Sequence, residues 1–148
     1  TNTGVNQSIG LDWDSQGNLY VSSFNGGSGG FIRKFDSNGQ NMGIFASTGL
    51  QGPTNIWFNN IGNLLVNDYS AGAIKQFSLS GGALGNFVEG LSIPEGIDFL
   101  PSQGFIIGNG GTGSIKLYSY SGNFIKDLVQ PGAGNLTLPN AVRVRQVN

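Results

Sequence analysis

Short runs of alternating hydrophobic and polar residues recur along the chain at a nearly constant interval. Four such runs contain Leu11, Ile56, Ile97 and Val142 at matching positions, which lie 45, 41 and 45 residues apart. In each run a second apolar residue follows two positions later, as Trp13 follows Leu11. Alternation with a period of two is typical of a β-strand that has one buried face. The pattern therefore predicts one such strand at the start of each unit of a repeat.

Three further strands are predicted within each unit. A turn glycine precedes the second run, a third run ends in an aromatic residue, and a fourth run follows another glycine. The second runs are 19–21, 64–66 and 105–107, the third are 32–35, 74–77 and 115–118, and the fourth end at Phe45, Phe87 and Leu128. No segment shows a sustained helical pattern with caps. Four short strands per unit of 41–45 residues predict an all-β fold of four-stranded antiparallel propeller blades.

The order of these motifs resembles the NHL repeat of β-propeller proteins. A proline stands three residues ahead of the first strand's apolar position in three units, at Pro53, Pro94 and Pro139. The second run then has the form Gly-Asn-Leu-x-Val in two units, and the third run has isoleucine followed by a basic residue. The resemblance covers residues 8–144 and implies a propeller. The aspartate that usually follows the second strand in this family is matched by Asp68 alone.

We expect a single propeller segment of three blades. The predicted limits are 8–51 for blade 1, 52–92 for blade 2, 93–138 for blade 3 and 139–148 for an extra strand that begins a fourth repeat. Closed propellers usually need four to eight blades, so three blades should leave an apolar sheet face bare at each end.

Three arrangements would cover such faces, and all three stay open at this stage. The chain is a segment of a longer propeller, or two copies form a six-bladed ring, or copies stack head to tail. In the stack, the extra strand completes a neighbouring blade, and its assembly residues are Val142, Val144 and Val147. The partners expected from this are further copies or further blades, and the isolated chain should not be a clean monomer.

Composition and charge reduce the number of functions that the chain could have. The net charge is −1, so no electrostatic field favours nucleic acid, and no apolar run is long enough for membrane insertion. The chain contains no histidine and no cysteine, which removes the commonest general base, metal ligand and nucleophile pairs. Propeller lyases that resemble NHL proteins rely on histidine. We therefore expect no enzyme and no required cofactor.

Carboxylate and amide side chains near the first strands are weak candidates for a calcium site. Calcium-dependent lactonases of propeller fold use Glu, Asn and Asp ligands, and the residues of this kind here are Glu95, Asn55, Asp98 and Asn140. Calcium requires six to eight oxygen ligands. The competing interpretation is that these residues cap strand ends or face water in the central channel. A calcium-dependent hydrolase or lactonase is thus the alternative function.

The leading hypothesis is a non-catalytic extracellular or cell-surface module that binds a protein or carbohydrate, or that serves in assembly. Trp57 follows Ile56 directly and so points away from it, which makes Trp57 a weak candidate for an exposed stacking platform. The chain also contains two N-glycosylation motifs, at Asn6 and Asn135, which have meaning only in a eukaryotic secreted protein.

Overall fold

The computed structural model describes residues 4–145, which form β-strands joined by short turns. The strands are β1 (Ser8–Trp13), β2 (Leu19–Ser23), β3 (Phe31–Phe35), β4 (Asn41–Ala46), β5 (Pro53–Phe58), β6 (Leu64–Asp68), β7 (Ala73–Phe77), β8 (Ala83–Val88), β9 (Pro94–Leu100), β10 (Gly104–Asn109), β11 (Ser114–Tyr118) and β12 (Phe124–Val129). The helical segments within residues 4–145 are three short turns, at Asn25–Gly27, Gly110–Thr112 and Ala133–Asn135. None of these has the length or hydropathy to cross a membrane.

Each group of four consecutive strands forms one antiparallel sheet in which neighbours in sequence are neighbours in space. These sheets are blade 1 (β1–β4), blade 2 (β5–β8) and blade 3 (β9–β12). Leu11, Ile56 and Ile97 each lie in the first strand of a blade, as the repeat predicted. The predicted fold class is therefore confirmed. The chain divides into two compact units, one up to Glu89 with blades 1 and 2, and one from Gly90 with blade 3.

Burial within blade 2 follows the order of the strands. Every residue of β6 is buried, whereas most of the outer strand β8 is exposed. The sequence explains this difference, because β6 begins with the continuous apolar run Leu64–Val66, which suits a strand covered on both faces. The outer strand of each sheet has one edge without a neighbouring strand in that sheet.

The core of the first unit lies between blades 1 and 2, where one face of each sheet packs against the other. The Tyr20 ring makes edge-to-face contacts with Phe45 and Phe58, at centroid distances of 4.8 and 4.9 Å. The buried members of this core are Tyr20, Ile32 and Ala46 of blade 1, Leu50 of the connection, and Ile56, Leu64, Val66 and Phe77 of blade 2. Side chains that alternate along each strand thus form the contact between the two sheets.

A polar residue at the end of the second strand fixes the segment that leads into each blade. The Ser23 hydroxyl bonds the backbone of Asn6, the Asp68 carboxylate accepts from the Gln51 N–H, and the Asn109 amide oxygen accepts from the Ser92 N–H. These three contacts each span 17 residues of sequence.

The residue of blade 3 that corresponds to Asp68 is therefore Asn109. Sequence alignment alone places Gly110 at this position, because it cannot show where the second strand ends. The strand pairing assigns this position to Asn109 instead of Gly110, because Asn109 pairs with Ser114 as Asp68 pairs with Ala73.

Candidate functional site

One face of blade 1 forms an apolar surface that is open to solvent. Leu11 and Trp13 of β1 lie directly across from Val21 and Leu19 of β2, and Leu19 lies across from Phe35 of β3. Side chains directly opposite on paired strands share a face of the sheet. We call this surface, formed by Leu11, Trp13, Leu19, Val21 and Phe35, the open face.

The equivalent positions in blade 2 are covered. Leu11 is 54% exposed, whereas Ile56 at the same position of blade 2 is 5% exposed. Leu19 is half-buried, whereas its counterpart Leu64 is fully buried. Blade 1 packs on this face of blade 2, and the open face is where a preceding blade would pack on blade 1. A bare apolar face at the first blade was predicted, and the exposure of Leu11 confirms it.

A shallow groove of about 280 Å³ lies on the open face. Its lining consists of Val5, Ser8, Leu19, Val21, Phe35 and Gly39. Arg33 stands across from Val21 on the neighbouring strand, where its guanidinium lies 5.3 Å from the Phe31 ring centre and donates to Asn41. The positively charged Arg33 side chain thus contacts residues of its own blade. The lining of the groove itself is mainly apolar.

A polar cluster lies on the opposite face of blade 1, beside the core. Asp14 Oδ2 accepts a hydrogen bond from the Tyr20 hydroxyl at 3.1 Å and lies 3.8 Å from Lys34 Nζ. Burial alone would raise the pKa of Asp14, but hydrogen bonds from Asn18 and Gln16 outweigh it and hold that pKa below its ordinary value. The hydrogen bond with Tyr20 is the main cause of a raised pKa at Lys34. The cluster keeps Asp14 and Lys34 charged and positions Tyr20 at the core.

Two aspartates at the same blade position each accept a backbone hydrogen bond from the following repeat. Asp12 Oδ2 accepts the Phe58 N–H at 2.9 Å, and Asp98 Oδ2 accepts the Val144 N–H at 2.7 Å. Both contacts span 46 residues of sequence. In each aspartate, Oδ1 accepts the N–H of the next residue. The structure thus gives both carboxylates the same structural role.

The candidate calcium ligands are placed in different surroundings. Both carboxylate oxygens of Asp98 accept backbone hydrogen bonds, and the backbone of Asn140 passes beside Gly96, next to Glu95. Glu95 is half-buried, and burial raises the pKa of its carboxyl group. Asn55 belongs to β5 in the other compact unit. Among residues 4–145 no group of three or more acidic side chains comes together in a way that could hold a metal ion, so the calcium site stays a prediction.

Trp57 is not an exposed platform. It is 6% exposed and pairs across the sheet with Leu65, which is also buried. Alternation correctly places Trp57 on the face opposite Ile56. The error was to take that second face as solvent-exposed, whereas Trp57 and Leu65 are both buried.

Residues 139–145 do not form the predicted extra strand, because no strand within residues 4–145 pairs with them. They nevertheless lie against β9 as β5 lies against β1. A Cβ atom at Gly96 would collide with the backbone of 140–142, and one at Gly10 would collide with the backbone of 54–56 in the same way. Val142 and Val144 are half-buried, and Val147 lies outside the described residues.

The far face of blade 3 is consequently not bare, contrary to the expectation for the second end. Ile106 and Leu117 share the face of Asp98 and are buried. The Asp98–Val144 hydrogen bond places residues 139–145 on that side of the blade.

The two glycosylation motifs both lie at the surface. Asn6 is exposed beside β2 and its side chain donates to Asn25, and Asn135 is exposed in the last helical turn. Neither position tests the predicted modification.

Sequence reasoning overlooked the residues of the open face as a site. The alternation that predicts β1 marks a covered strand and an uncovered one alike, so it did not single out Leu11 and Trp13 as an exposed surface.

No protein-family model matches the chain, and no curated protein matches it. Among solved structures, the chain has the fold of β-propeller proteins. It is similar to a chain of the nidogen/laminin complex (21% identity, TM-score 0.70), which covers 93% of this chain and 52% of that one. It is also similar to virginiamycin B lyase from Staphylococcus aureus (13% identity, TM-score 0.67, 92% of this chain and 45% of that one).

A third similar structure is a putative gluconolactonase (17% identity, TM-score 0.65), for which the alignment covers 86% of this chain and 49% of that one. The chain thus spans about half the length of these solved structures. These likenesses establish the propeller fold, and the matched proteins include both a protein complex and enzymes.

Proposed function

We propose that this chain is a non-catalytic binding or assembly module of NHL-like blades, and that its open face receives a further propeller blade. The observation that carries the proposal is the contrast between Leu11 and Ile56, which occupy the same position on an exposed and a covered sheet face. Full burial of one Val, Leu, Ile or Phe side chain stabilises by about 1.5–3 kcal/mol. A face with several such residues therefore favours a protein partner over water.

The internal repeat indicates what kind of partner fits. Blade 2 receives blade 1 through the same positions, and blade 1 presents Tyr20, Ile32 and Ala46 to it. The partner that fits the open face is therefore a sheet with a comparable apolar face. It would pack on blade 1 as blade 1 packs on blade 2.

An extracellular or cell-surface setting is part of the proposal. Only 10% of residues are charged, and the chain contains 26 glycines and no cysteine. The match to a chain of the nidogen/laminin complex supports a role in binding other proteins, because that structure is of a protein complex.

Single cysteines provide the test, because the natural chain has none. Leu11→Cys is labelled with a thiol reagent in the chain itself and in a version with a second copy of residues 8–52 inserted ahead of Ser8. We expect labelling to slow by about tenfold or more in the longer chain, because the inserted blade covers the original face.

Leu79→Cys is the matched control. Leu79 is 64% exposed in the turn between β7 and β8, so its labelling should be equally fast in both chains. Equal labelling of Leu11→Cys in the two chains would show that the open face does not receive a blade.

A further inference from the structure

The connections at one end of blades 1 and 2 lie together and form a surface that we call the loop end. The Gly30 N–H donates to the Gln51 carbonyl, which joins the β2–β3 loop to the connection between β4 and β5. The Tyr69 N–H donates to the Gly52 carbonyl, which joins the β6–β7 loop to the same connection. The loop end comprises residues 6–7, 24–30, 47–52 and 69–72.

The loop end does not depend on how many blades surround it. Blades 1 and 2 pack on each other through their sheet faces, whereas the loop end lies at the ends of the strands. A further blade that packs on a sheet face therefore leaves the loop end open to solvent.

An aromatic residue stands first in each of the two loops. Phe24 directly follows β2 and Tyr69 directly follows β6, so the two residues occupy the same position in their blades. Packing of blade 1 on blade 2 brings the two rings edge to face, with their centroids 5.8 Å apart. Both rings are half-buried, so each keeps part of its surface in water. The pair offers an apolar patch that carries one hydroxyl group.

The β2–β3 loop is longer than its counterpart and packs closely against blade 2. It contains seven residues, whereas the β6–β7 loop contains four. A Cβ atom at Gly52 would collide with the Ser70 hydroxyl and with the Phe24 ring, and one at Gly27 would press on both. The lack of side chains at these two glycines therefore lets the loop lie directly against blade 2.

Side chains of the segment before β1 fix the tip of the same loop. The Gln7 amide oxygen accepts the Gly26 N–H at 2.6 Å, and the Asn6 amide group donates to Asn25 Oδ1 at 3.3 Å. Asn25 itself donates to the Ser28 carbonyl at 3.0 Å. A binding surface that is already ordered loses little conformational entropy when a ligand binds.

The loop end is neutral throughout. None of its residues is charged, and most are Gly, Ser, Thr, Asn or Gln. Tyrosine among small polar residues is also the composition of antibody binding surfaces, because the ring supplies rigid contact area and the small residues supply adaptable hydrogen bonds. A charged ligand would lose hydration here without gaining an opposite charge. The composition therefore favours a neutral ligand with many hydrogen-bonding groups.

We propose that the loop end binds a neutral oligosaccharide, with one sugar ring against the pair of Phe24 and Tyr69. The C–H groups of a sugar ring form an apolar face that lies on an aromatic ring, as apolar groups do on other aromatic side chains. The sugar hydroxyls at the ring edge bond the hydroxyls of Tyr69 and Ser70, each of which can donate and accept. This inference rests on the proposed binding role, and it places a ligand on a surface other than the open face.

A protein partner fits the loop end less well than an oligosaccharide does. A stable protein interface takes about 20–30 residues on each side, with large side chains at its centre. The loop end presents two aromatic rings among glycines and short polar residues. Its size and chemistry match a small polar ligand.

Titration calorimetry of the full chain with cellohexaose, maltohexaose, mannohexaose and xylohexaose tests the ligand class. At least one of these neutral hexasaccharides should bind saturably. Tyr69→Ala should weaken that binding by about tenfold or more, because it removes both the ring and the hydroxyl. Tyr69→Phe keeps the ring and should weaken it by only about threefold.

Tyr120→Ala is the matched control. Tyr120 is 52% exposed in the turn between β11 and β12, so it is an accessible tyrosine outside the loop end. Its replacement should leave the binding of the hexasaccharide unchanged.

A second measurement keeps an aromatic ring at position 69 and so does not depend on a variant that loses packing. Tyr69→Trp should still bind, and the emission of the added indole should change saturably with the hexasaccharide, at the midpoint that calorimetry gives. The emission of the added indole in Tyr120→Trp should not change.

Three results would overturn the proposal. No saturable binding of any of the four hexasaccharides at about 10 mM would exclude the ligand class. Tighter binding of hexagalacturonic acid than of every neutral hexasaccharide would contradict a neutral ligand. Binding that Tyr69→Ala leaves unchanged, or that Tyr120→Ala weakens equally, would place the ligand outside the loop end.

These results are separable from those on the proposed function. Labelling of Leu11→Cys reports on a sheet face of blade 1, whereas the titrations report on the strand ends of blades 1 and 2. The loop end can therefore fail to bind a sugar while the open face still receives a blade, and the reverse also holds.

Discussion

At the scale of single residues, Asp12 connects two sheets through one carboxylate. Its Oδ2 accepts the Phe58 N–H, which belongs to the next blade. Asp12→Ala should lower the unfolding free energy by about 1–3 kcal/mol, because it leaves a backbone donor unsatisfied beside the core. Chemical denaturation measures this change.

Asp12→Asn is the control for this prediction, since its amide oxygen still offers an acceptor to Phe58. Its loss of stability should be clearly smaller than that of Asp12→Ala. Equal losses would mean that the acceptor for Phe58 is not what stabilises the contact, and that the charge of Asp12 or its second hydrogen bond, from Trp13, is. The sequence shows that Asp12 and Asp98 occupy matching positions, but only the structure shows that their partners lie one repeat further on.

At the scale of strands and sheets, the open face is predicted to contribute little to the stability of the isolated chain. Leu11→Lys should change the unfolding free energy by less than about 0.5 kcal/mol, because the lysine remains in water. Ile56→Lys at the equivalent covered position should cost about 3 kcal/mol or more, because it buries an unpaired charge. Denaturant unfolding of both variants checks the pair, and similar losses would contradict the assignment of an open face.

The strands themselves could be predicted from the sequence, whereas their surroundings could not. Alternation located β1, β5 and β9, because local side-chain order decides which residues share a face. It could not show that Trp57 is buried, because alternation assigns residues to a face and does not say whether that face is exposed. It also predicted a strand at 139–148, but a strand needs a ladder partner, and residues 139–145 have none within the described chain.

At the scale of the whole molecule, the position of residues 139–145 limits how copies of the chain can join. In a six-bladed ring of two copies, or in a head-to-tail stack, β1 of one copy would have to lie on blade 3 of the next. Residues 140–144 already hold that place through Gly96 and Asp98. Both arrangements therefore require residues 140–144 to move away from blade 3.

Without a completing blade, two copies can still meet through their open faces about a two-fold axis, which closes at a dimer. Light scattering of the isolated chain should therefore show a mass that rises with concentration from 15.5 kDa toward twice that value and no further. Leu11→Lys should abolish the rise, because it places like charges on both sides of an apolar contact. Leu79→Lys, which changes another exposed leucine away from the open face, should leave the rise intact. A mass above that of a dimer would show that another copy displaces residues 140–144 from blade 3. A mass of one chain at every concentration would show that the open face does not pair with itself.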